Sequence, residues 1–548
     1  MSLFHRPVRA GAVAILGLAM TAATGAFATS ALASPSAATP RYVPLSGSVI
    51  SAHAAKTGSY SSSRMSVEVA LAPGNEAGLN NVLRGLYTKG SSSYQHWLAK
   101  GQFDARYAPA AATRTAVDRY LTSHGLSVQR SSSPFLVRAV GTSAKISAAF
   151  ETTLNTYKGS GGARFFANST AVRLPATLAP GVLGVLGLAN TVREHDMVAR
   201  ATTAKRPAGR ASASASGASS SCETGYPTEA QLIGFYVNGV NFPSGFGDGP
   251  GCSGVTPSQT NSLYDAPHAG ARGKGAGVTL GLFELSAYQE SDIATWAHTV
   301  YGPGFTPRLE NVNVDGGPLN PKCPTGDTCP PDTEGYAGDI EVDADIETQL
   351  TISPDAAHII VYNAPNDETG QTSLDEYTKI ANADAASAVS SSWGECEEAL
   401  GAPMARAENV VFEQMAAQGQ SMFASAGDDG AFDCEDVTGS TIVNVDDPEA
   451  QPWVTSVGGT SWESDNPGTN LHPAYPKGVE SVWNPDGLCN TSANEGGQSG
   501  LVWCNTTGAG GGGSSQFWGR PFYQQGPGIT NRYTTHANST THCVFAAS

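Results

Sequence analysis

The sequence predicts an α/β protein: a largely parallel sheet with flanking helices in the second half, preceded by a smaller α+β domain. Three observations carry that reading. From residue 222 on, short apolar runs ending in small polar residues alternate with stretches of helical period, the signature of a parallel sheet with crossover helices. Residues 42–197 carry a different pattern, in which strand-like alternation and helical periodicity succeed each other over the length of one ordinary domain. The charge breaks between the two: residues 1–220 hold 22 Lys and Arg against 7 Asp and Glu, whereas residues 221–548 hold 9 against 41.

The chain opens MSLFHRPVRAGAVAILGLAMTAATGAFATSALASPS. Arg6 and Arg9 precede an Ala-rich apolar run, and Ala31-Leu32-Ala33 supplies an A-x-A cleavage site, so residues 1–33 read as a secretory signal peptide rather than a membrane anchor. No later stretch has the length and apolarity of a membrane-spanning helix. In the 42–197 domain, MSVEVAL (65–71) alternates like a strand and EAGLNNVLRGLY (76–87) has a helical period. TRTAVDRYLTSHG (113–125) reads as a helix ended by Gly125, and SVQRSSSPFLVRAVG (127–141) as strands around a turn. SAKISAAFETTLNTYKG (143–159) adds a helix with a strand-like tail, and LPATLAPGVLGVLGL (174–188) closes the domain with an apolar patch.

Residues 198–221 are Ala, Ser and Gly with basic punctuation and no apolar period, which predicts a flexible linker open to proteolytic processing. Beyond it, GVTLGLFEL (277–285), HIIVYNAP (358–365), AASAVSSSWG (385–394), SMFASAGDDG (421–430) and QPWVTSVGG (451–459) read as buried strands. SDIATWAHTVYG, DIETQLTIS, LDEYTKIANAD and MARAENVVFEQMAAQG read as the helices between them. In such a sheet, active residues belong at the carboxyl ends of the strands.

Charge and cysteine usage narrow the setting. A basic segment beside an acidic one suits docking of the first on the second through complementary fields, and the acidic half argues against nucleic acid as a partner. All nine cysteines (222, 252, 323, 329, 396, 434, 489, 504 and 543) lie after residue 221, dispersed and without zinc spacing, which fits disulfides formed after export, with one cysteine left over.

Two stretches are dense in chemistry. In GDIEVDADIETQL (338–350), Glu341 and Asp345 are four residues apart and share a helix face. Carboxyls held that close raise one pKa and keep a proton within the pair; a Glu oriented by an Asp serves as a base where an imidazole would already be protonated. Asp343 and Glu347 have the same spacing, so spacing alone leaves the register open, and a solvated acidic helix start accounts for the pattern equally. In FASAGDDGAFDC (423–434), Asp428 follows an apolar strand and a small-residue turn; held protonated, it could donate a hydrogen bond to a developing oxyanion. An ordinary Asp turn, with Asp429 available to it, is the competing reading.

These motifs resemble one family. YAPAAATRTAVDRYLTSHG and VGTSAKISAAFETTLNTY in the first domain, with EVDADIE, PDAAHIIVY, SSSWGECE, MFASAGDDGAFDC, PWVTSVGGTS and GGGGSSQFWGRPFYQ in the second, resemble the sedolisin, or serine-carboxyl, peptidases (kumamolisin-like). The resemblance implies an α+β, ferredoxin-like activation prodomain over 42–197 and a subtilisin-like catalytic domain over 222–548. It places the family's E-x-x-x-D-[IV] pattern on Glu341 and Asp345-Ile346, and its oxyanion aspartate on Asp428. Ser461, in SVGGTSWES (456–464), looks like a nucleophile but falls on the first, structural glycine-threonine stretch of the family; it lies 33 residues after Asp428 and is followed by bulky, acidic residues. The second stretch, which carries the nucleophile, and the calcium site expected after it have no counterpart here. The expectation is therefore a chain truncated before its nucleophilic serine and metal ligands, with none of these nameable in it. Proximity and the resemblance suggest disulfides 396–434 and 489–504, with 323–329 and 222–252 as weaker pairs and Cys543 unpaired.

The function expected is a secreted, monomeric, acid-active endopeptidase zymogen, with peptides or proteins as substrates and its own prodomain as partner. Two other readings stay open: a catalytically dead, peptide-binding extracellular protein on the same fold, and an α/β hydrolase acting on esters or glycans through its paired carboxylates.

Overall fold

The computed structural model describes residues 41–49, 54–159, 164–192, 194–196, 274–318, 338–434, 442–463, 479–483 and 509–524, with four isolated residues between 257 and 266. The expected signal peptide, the linker 198–221 and every cysteine except Cys396 and Cys434 lie outside the described residues.

The first layer contains β1 (Tyr42–Pro44), β2 (Ala55–Ser59), β3 (Met65–Leu71), α1 (Glu76–Tyr87), α2 (Gln102–Tyr107), α3 (Ala111–Ser123), β4 (Ser127–Val128), β5 (Leu136–Gly141), α4 (Ser143–Ala149), β6 (Leu154–Lys158), β7 (Arg164–Asn168), β8 (Arg173–Pro175) and β9 (Val182–Leu186). Its main sheet is antiparallel in the order β4-β5-β3-β9, with Met65 opposite Gly141 and Val69 opposite Val185. The predicted elements recur within a residue or two. Val67, Val69, Val117, Leu121, Val137, Ile146 and Phe150 form the core between this sheet and its helices, all nearly inaccessible. Asn75 and Thr142 cap α1 and α4 by accepting from Gly78 N and Lys145 N.

The second layer continues with β10 (His195–Asp196), β11 (Thr279–Glu284), α5 (Glu290–Tyr301), β12 (Leu309–Asn313), α6 (Asp339–Ile352), β13 (His358–Asn363), α7 (Gln371–Ala383), β14 (Ala388–Ser391), β15 (Trp393–Cys396), α8 (Glu397–Leu400), α9 (Ala402–Gln418), β16 (Ser421–Ser425), β17 (Asp446–Asp447), β18 (Val454–Val457), β19 (Thr460–Glu463) and β20 (Val479–Val482). Six strands form one sheet in the order β12-β13-β11-β14-β16-β18, every pairing parallel. This is the subtilisin-like α/β architecture expected. The sequence reading missed β12 because Leu-Glu-Asn-Val-Asn has no apolar run; as an edge strand it needs none. The run begins at β11 inside the sheet, builds outward to β12, and returns past it to β14, so the carboxyl ends of β11 and β14 stand side by side at the point where strand order reverses. Cys396 and Cys434 are disulfide-bonded.

Strand β3 shows how the layers meet. Alternation predicts polar residues facing water, yet Glu68 is fully buried, because the outer face of the sheet lies on α7 and α9. Strand β9 runs against α9, whose Val410 and Ala417 pack with Leu79, Leu83 and Phe135 of the first layer. Tyr87 Oη donates to Ala416 O at 3.0 Å, and Lys100 Nζ donates to Ala383 O at 2.7 Å at the end of α7. Arg138 joins the layers by charge: its Nε donates to Glu68 Oε1 at 2.5 Å, and its Nη2 pairs with Asp375 Oδ2 on α7.

Burial and the neighbouring Glu68 push Asp375 up to about 7 despite Arg138. Arg138→Ala is expected to lower stability at pH 8 by about 3–5 kcal/mol, since two buried carboxylates lose their cation. At pH 4, below the value of Asp375 and with Glu68 also raised by burial, the carboxyls take up protons and the loss shrinks toward about 1 kcal/mol, the scale of lost hydrogen bonds. Thermal unfolding of the variant at the two pH values checks both magnitudes.

Candidate active site

The site is built where β11, the start of α6 and the turn from β14 into β15 converge. Helix α6 begins at Gly338, whose N–H donates to Ser286 Oγ at 3.3 Å just past β11. A Cβ at Gly338 would run into the Trp393 ring and the Ser286 side chain; glycine here lets the helix end come against β15. Val342, Ile346 and Leu350 bury one stripe of α6. The neighbouring stripe carries Glu341, 5% exposed, and Asp345 one turn on.

These two carboxyls are brought together, and two residues absent from the sequence reading join them. Ser392 Oγ lies 2.9 Å from both Asp345 carboxyl oxygens and donates to that group. Glu284, fully buried at the carboxyl end of β11, accepts from Trp393 Nε1 at 2.9 Å through Oε2, and its backbone N–H donates to Glu376. Asp343 and Glu347 belong to another face, where Asp343 has Asp292 and Asp339 for neighbours. The register left open by spacing is thereby separated in space: one pair meets Ser392 and Glu284, the other turns toward α5.

Burial raises all three clustered carboxyls. Glu341 is pushed up to about 9, with the charge of Asp345 the next cause. Glu284 goes well above the usual range by burial and by the charges of Asp345 and Glu341. Burial also lifts Asp345, but hydrogen bonds from Ser392, Glu341 and Glu284 hold it near 6. Asp345 is thus the member on which negative charge settles, with protons held by the two glutamic acids on either side of it.

Asp428 follows β16 at the same end of the sheet. Gly427 and Gly430, at φ 96° and 68°, turn the loop, and residues 509–511 run beside it: Gly430 N donates to Ala509 O and Gly511 N to Gly427 O, both at 2.9 Å. Burial, then the charges of Asp429 and Asp196, raise Asp428 to about 6. Asp196 acts electrostatically on Glu341 as well. It comes from β10, which lies antiparallel on β15 with His195 opposite Gly394 and Asp196 opposite Trp393. The chain leaving the first layer therefore runs along β15, and the charge of Asp196 acts on both Glu341 and Asp428. Ser461 lies in β19, opposite Ser481 of β20 in a two-stranded ribbon, not at a helix start. Among the described residues no group of three or more His, Cys, Asp or Glu side chains is arranged to hold a metal ion.

The pro-kumamolisin activation domain profile matches residues 53–191. Sedolisin of Pseudomonas sp. (strain 101) is 26% identical over 84% of this chain and 66% of its own length. Xanthomonalisin of Xanthomonas sp. (strain T-22) is 24% identical over 84% of the chain and 51% of its length, and kumamolisin of Bacillus sp. (strain MN-32) is 31% identical over 42% and 38%. Residues 53–191 thus match the activation domain, and the chain as a whole is similar to serine-carboxyl peptidases of the sedolisin type. It spans about half to two thirds of the length of the first two relatives. No helix among its described residues is long and apolar enough to cross a membrane.

The missed residues of the site had weak sequence signals. Glu284 ends a strand run as one acidic residue among apolar ones, and Ser392 is one of three consecutive serines; only the adjacency of β11 and β14 relates them to α6. The Asp428 loop yields a direct test. An added Cβ at Gly427 would lie 2.8 Å from Asp433 Oδ1 and Asp446 Oδ2, at a φ of 96°. Gly427→Ala is expected to destabilise by about 2–4 kcal/mol through contact and backbone strain together, read as a shift in the denaturant midpoint. An unchanged midpoint would mean that the loop is not held against those carboxyls.

Proposed function

We propose that the complete protein is a secreted, acid-active endopeptidase of the serine-carboxyl type, made as a zymogen whose activation domain covers the cleft. The observation that carries this reading is the run of hydrogen-bonded carboxyls Glu284, Asp345 and Glu341, with Asp196 of the paired strand acting by its charge on both Glu341 and Asp428. Glu341 takes the proton of a serine hydroxyl as the oxygen adds to the substrate carbonyl carbon, and passes its own proton to Asp345. Protonated Asp428 donates to the oxyanion that forms. When the C–N bond breaks, Glu341 returns a proton to the amine nitrogen, and water repeats the cycle on the acyl ester. Glu284 and Ser392 are positioning residues that keep Asp345 oriented and charged.

The nucleophilic serine belongs to none of the residues assigned here. Ser461 stands in a strand ribbon, and the Ser392 hydroxyl is committed to Asp345. Calcium, expected for complete family members, likewise has no ligand assigned in this chain, and no step depends on it. Strand β15 would receive the substrate backbone as it receives β10, as a monomeric enzyme acting on peptides or unfolded proteins. The processing site is proposed within 198–221.

A non-cleaving peptide-binding protein is the second reading, favoured by the intact strand of the chain's own backbone on β15. A digest of denatured protein at pH 3–5 separates the two readings. In the complete protein, Glu341→Gln is expected to lower peptide hydrolysis by on the order of a thousandfold or more while leaving the melting temperature unchanged. Near-normal turnover would remove Glu341 from the mechanism. Asp428 donates only while protonated, so activity falls as pH rises through about 6; Asp428→Asn keeps a donor at every pH and is expected to flatten that limb of the rate profile.

A further inference from the structure

Between β9 and β10 the chain leaves the activation domain and binds the catalytic layer residue by residue. Asn190 Nδ2 donates to Glu368 Oε2 at 2.7 Å, Thr191 Oγ1 donates to Ala399 O at 3.1 Å, and Asn366 Nδ2 donates to Glu194 O at 2.6 Å. Val192 is buried in the core of the catalytic layer. Glu194 then turns its side chain inward: it is 5% exposed, and its Oε2 has no hydrogen-bond partner. Its surroundings are acidic. Ser373 donates to the carboxyl, and Asp367 and Asp447 face it as charges; Glu376 and Tyr377 of α7 and Glu408 of α9 feel it in turn. These groups come from the loop before α7, from α7, α9 and β17, and no cation is among them. Burial pushes Glu194 up to about 7.

A carboxylate would meet three or four others here in a medium that screens them poorly. An uncharged carboxylic acid meets a hydroxyl donor and carboxyl groups able to exchange hydrogen bonds with it. We propose that the site enclosing Glu194 is a side-chain subsite of the cleft that selects an uncharged acid or amide, protonated glutamic acid or glutamine, on a peptide lying antiparallel on β15. The selected residue is two positions before Asp196, whose charge acts on Glu341 and Asp428. Applied to substrates this rests on the peptidase reading; applied to the chain's own arm it does not. A lysine or arginine would require one of its acidic neighbours to ionise beside it, and is disfavoured at the low pH where they hold protons.

The test uses the full 548-residue chain and reads hydrogen exchange at the amides of residues 194–196, corrected for intrinsic rate, at pH 5 and pH 8. Wild-type protection is expected at pH 5, with a loss of about tenfold by pH 8 as Glu194 ionises. Glu194→Gln keeps the protection at both pH values, and Glu194→Lys loses at least about tenfold at pH 5. A Lys variant as protected as wild type, or a wild type and Gln variant with the same pH dependence, overturns the proposal. A second arm uses the processed complete protein and peptides copying residues 190–200 with Glu, Gln or Lys at the Glu194 position, at pH 4. Faster cleavage of the Glu and Gln peptides supports the subsite, and equal cleavage of all three overturns its role in substrate choice. If no peptide is cut, the peptidase reading fails, while the exchange experiment still decides the site.

Discussion

Carboxyl groups buried without cations are the constraint on which the catalytic layer depends. Glu284, Glu376, Glu395 and Glu397 are fully buried, and Glu408, Asp433, Asp446 and Asp447 nearly so. An ionised carboxylate in such a place is costly, whereas a protonated one behaves as a polar group that needs only hydrogen bonds. Burial is the first cause of the raised pKa of Glu284, Glu376, Glu397, Glu408, Asp433, Asp446 and Asp447. A raised carboxyl pKa means that the folded state binds more protons than the unfolded chain, so stability is present at low pH and is lost as pH rises through the folded-state values. The buried acids among the described residues of the second half therefore favour folding at low pH through the interior of the fold, and not only through the surface charge that composition reports.

The same constraint shapes the contact between the layers. The charge break near residue 220 marks the boundary between a basic and an acidic half, but the contact itself is carried by apolar side chains. Leu79, Leu83, Phe103 and Phe135 pack with Val410 and Ala417 of α9, and Tyr87 meets the Trp453 ring at 5.7 Å. Arg138 is the charged group set into this apolar contact, and it is held by two carboxylates, one from each side. Apolar burial supplies an attraction that does not depend on pH, while the Arg138 pairs weaken as their carboxyls protonate. Acid thus loosens one part of the contact and leaves the rest.

The fold was legible in the sequence to the extent that periodicity reports burial. MSVEVAL, EAGLNNVLRGLY and HIIVYNAP announced β3, α1 and β13 because one face or both are apolar. Periodicity was silent on β12, a polar edge strand, and on β10 and β17, two-residue strands that exist only through their partners. Of the candidate site, the acidic stretches around residues 341–347 and 428–429 stood out in the sequence, but only the resemblance to the serine-carboxyl peptidases singled out Glu341, Asp345 and Asp428, since spacing left Asp343, Glu347 and Asp429 open. Glu284 and Ser392 did not stand out, since their relation to α6 passes through the order of strands in the sheet, which no local window contains. Glu194 sat unremarked in TVREHD, a stretch that reads as solvated until the pairing of β10 with β15 fixes where its side chain must go.

That pairing has a consequence for how the cleft stays closed. Strand addition on β15 recognises backbone, and backbone is the same in the chain's own arm and in any peptide. Direct competition therefore favours the arm, which is tethered at an effective concentration on the order of millimolar. The further bonds of Asn190, Thr191 and Glu194 to the catalytic layer deepen that advantage. Ladder hydrogen bonds cannot be the element that lets a peptide in, since both competitors make them equally. Displacement has to act on what only the arm possesses: its covalent tether, and the side chains that anchor it. A cut within 198–221 would leave the arm joined to the activation domain, so that its release would go with release of that domain from the apolar contact made by Leu79, Leu83 and Phe135. Ionisation of Glu194 instead weakens an anchor at neutral pH, where the catalytic carboxyls would also be losing their protons. Tether and anchor thus work in opposite pH ranges: below the folded-state pKa of Glu194 the arm is held most firmly, and on the proposed function cleavage of the chain would be the route that opens the cleft.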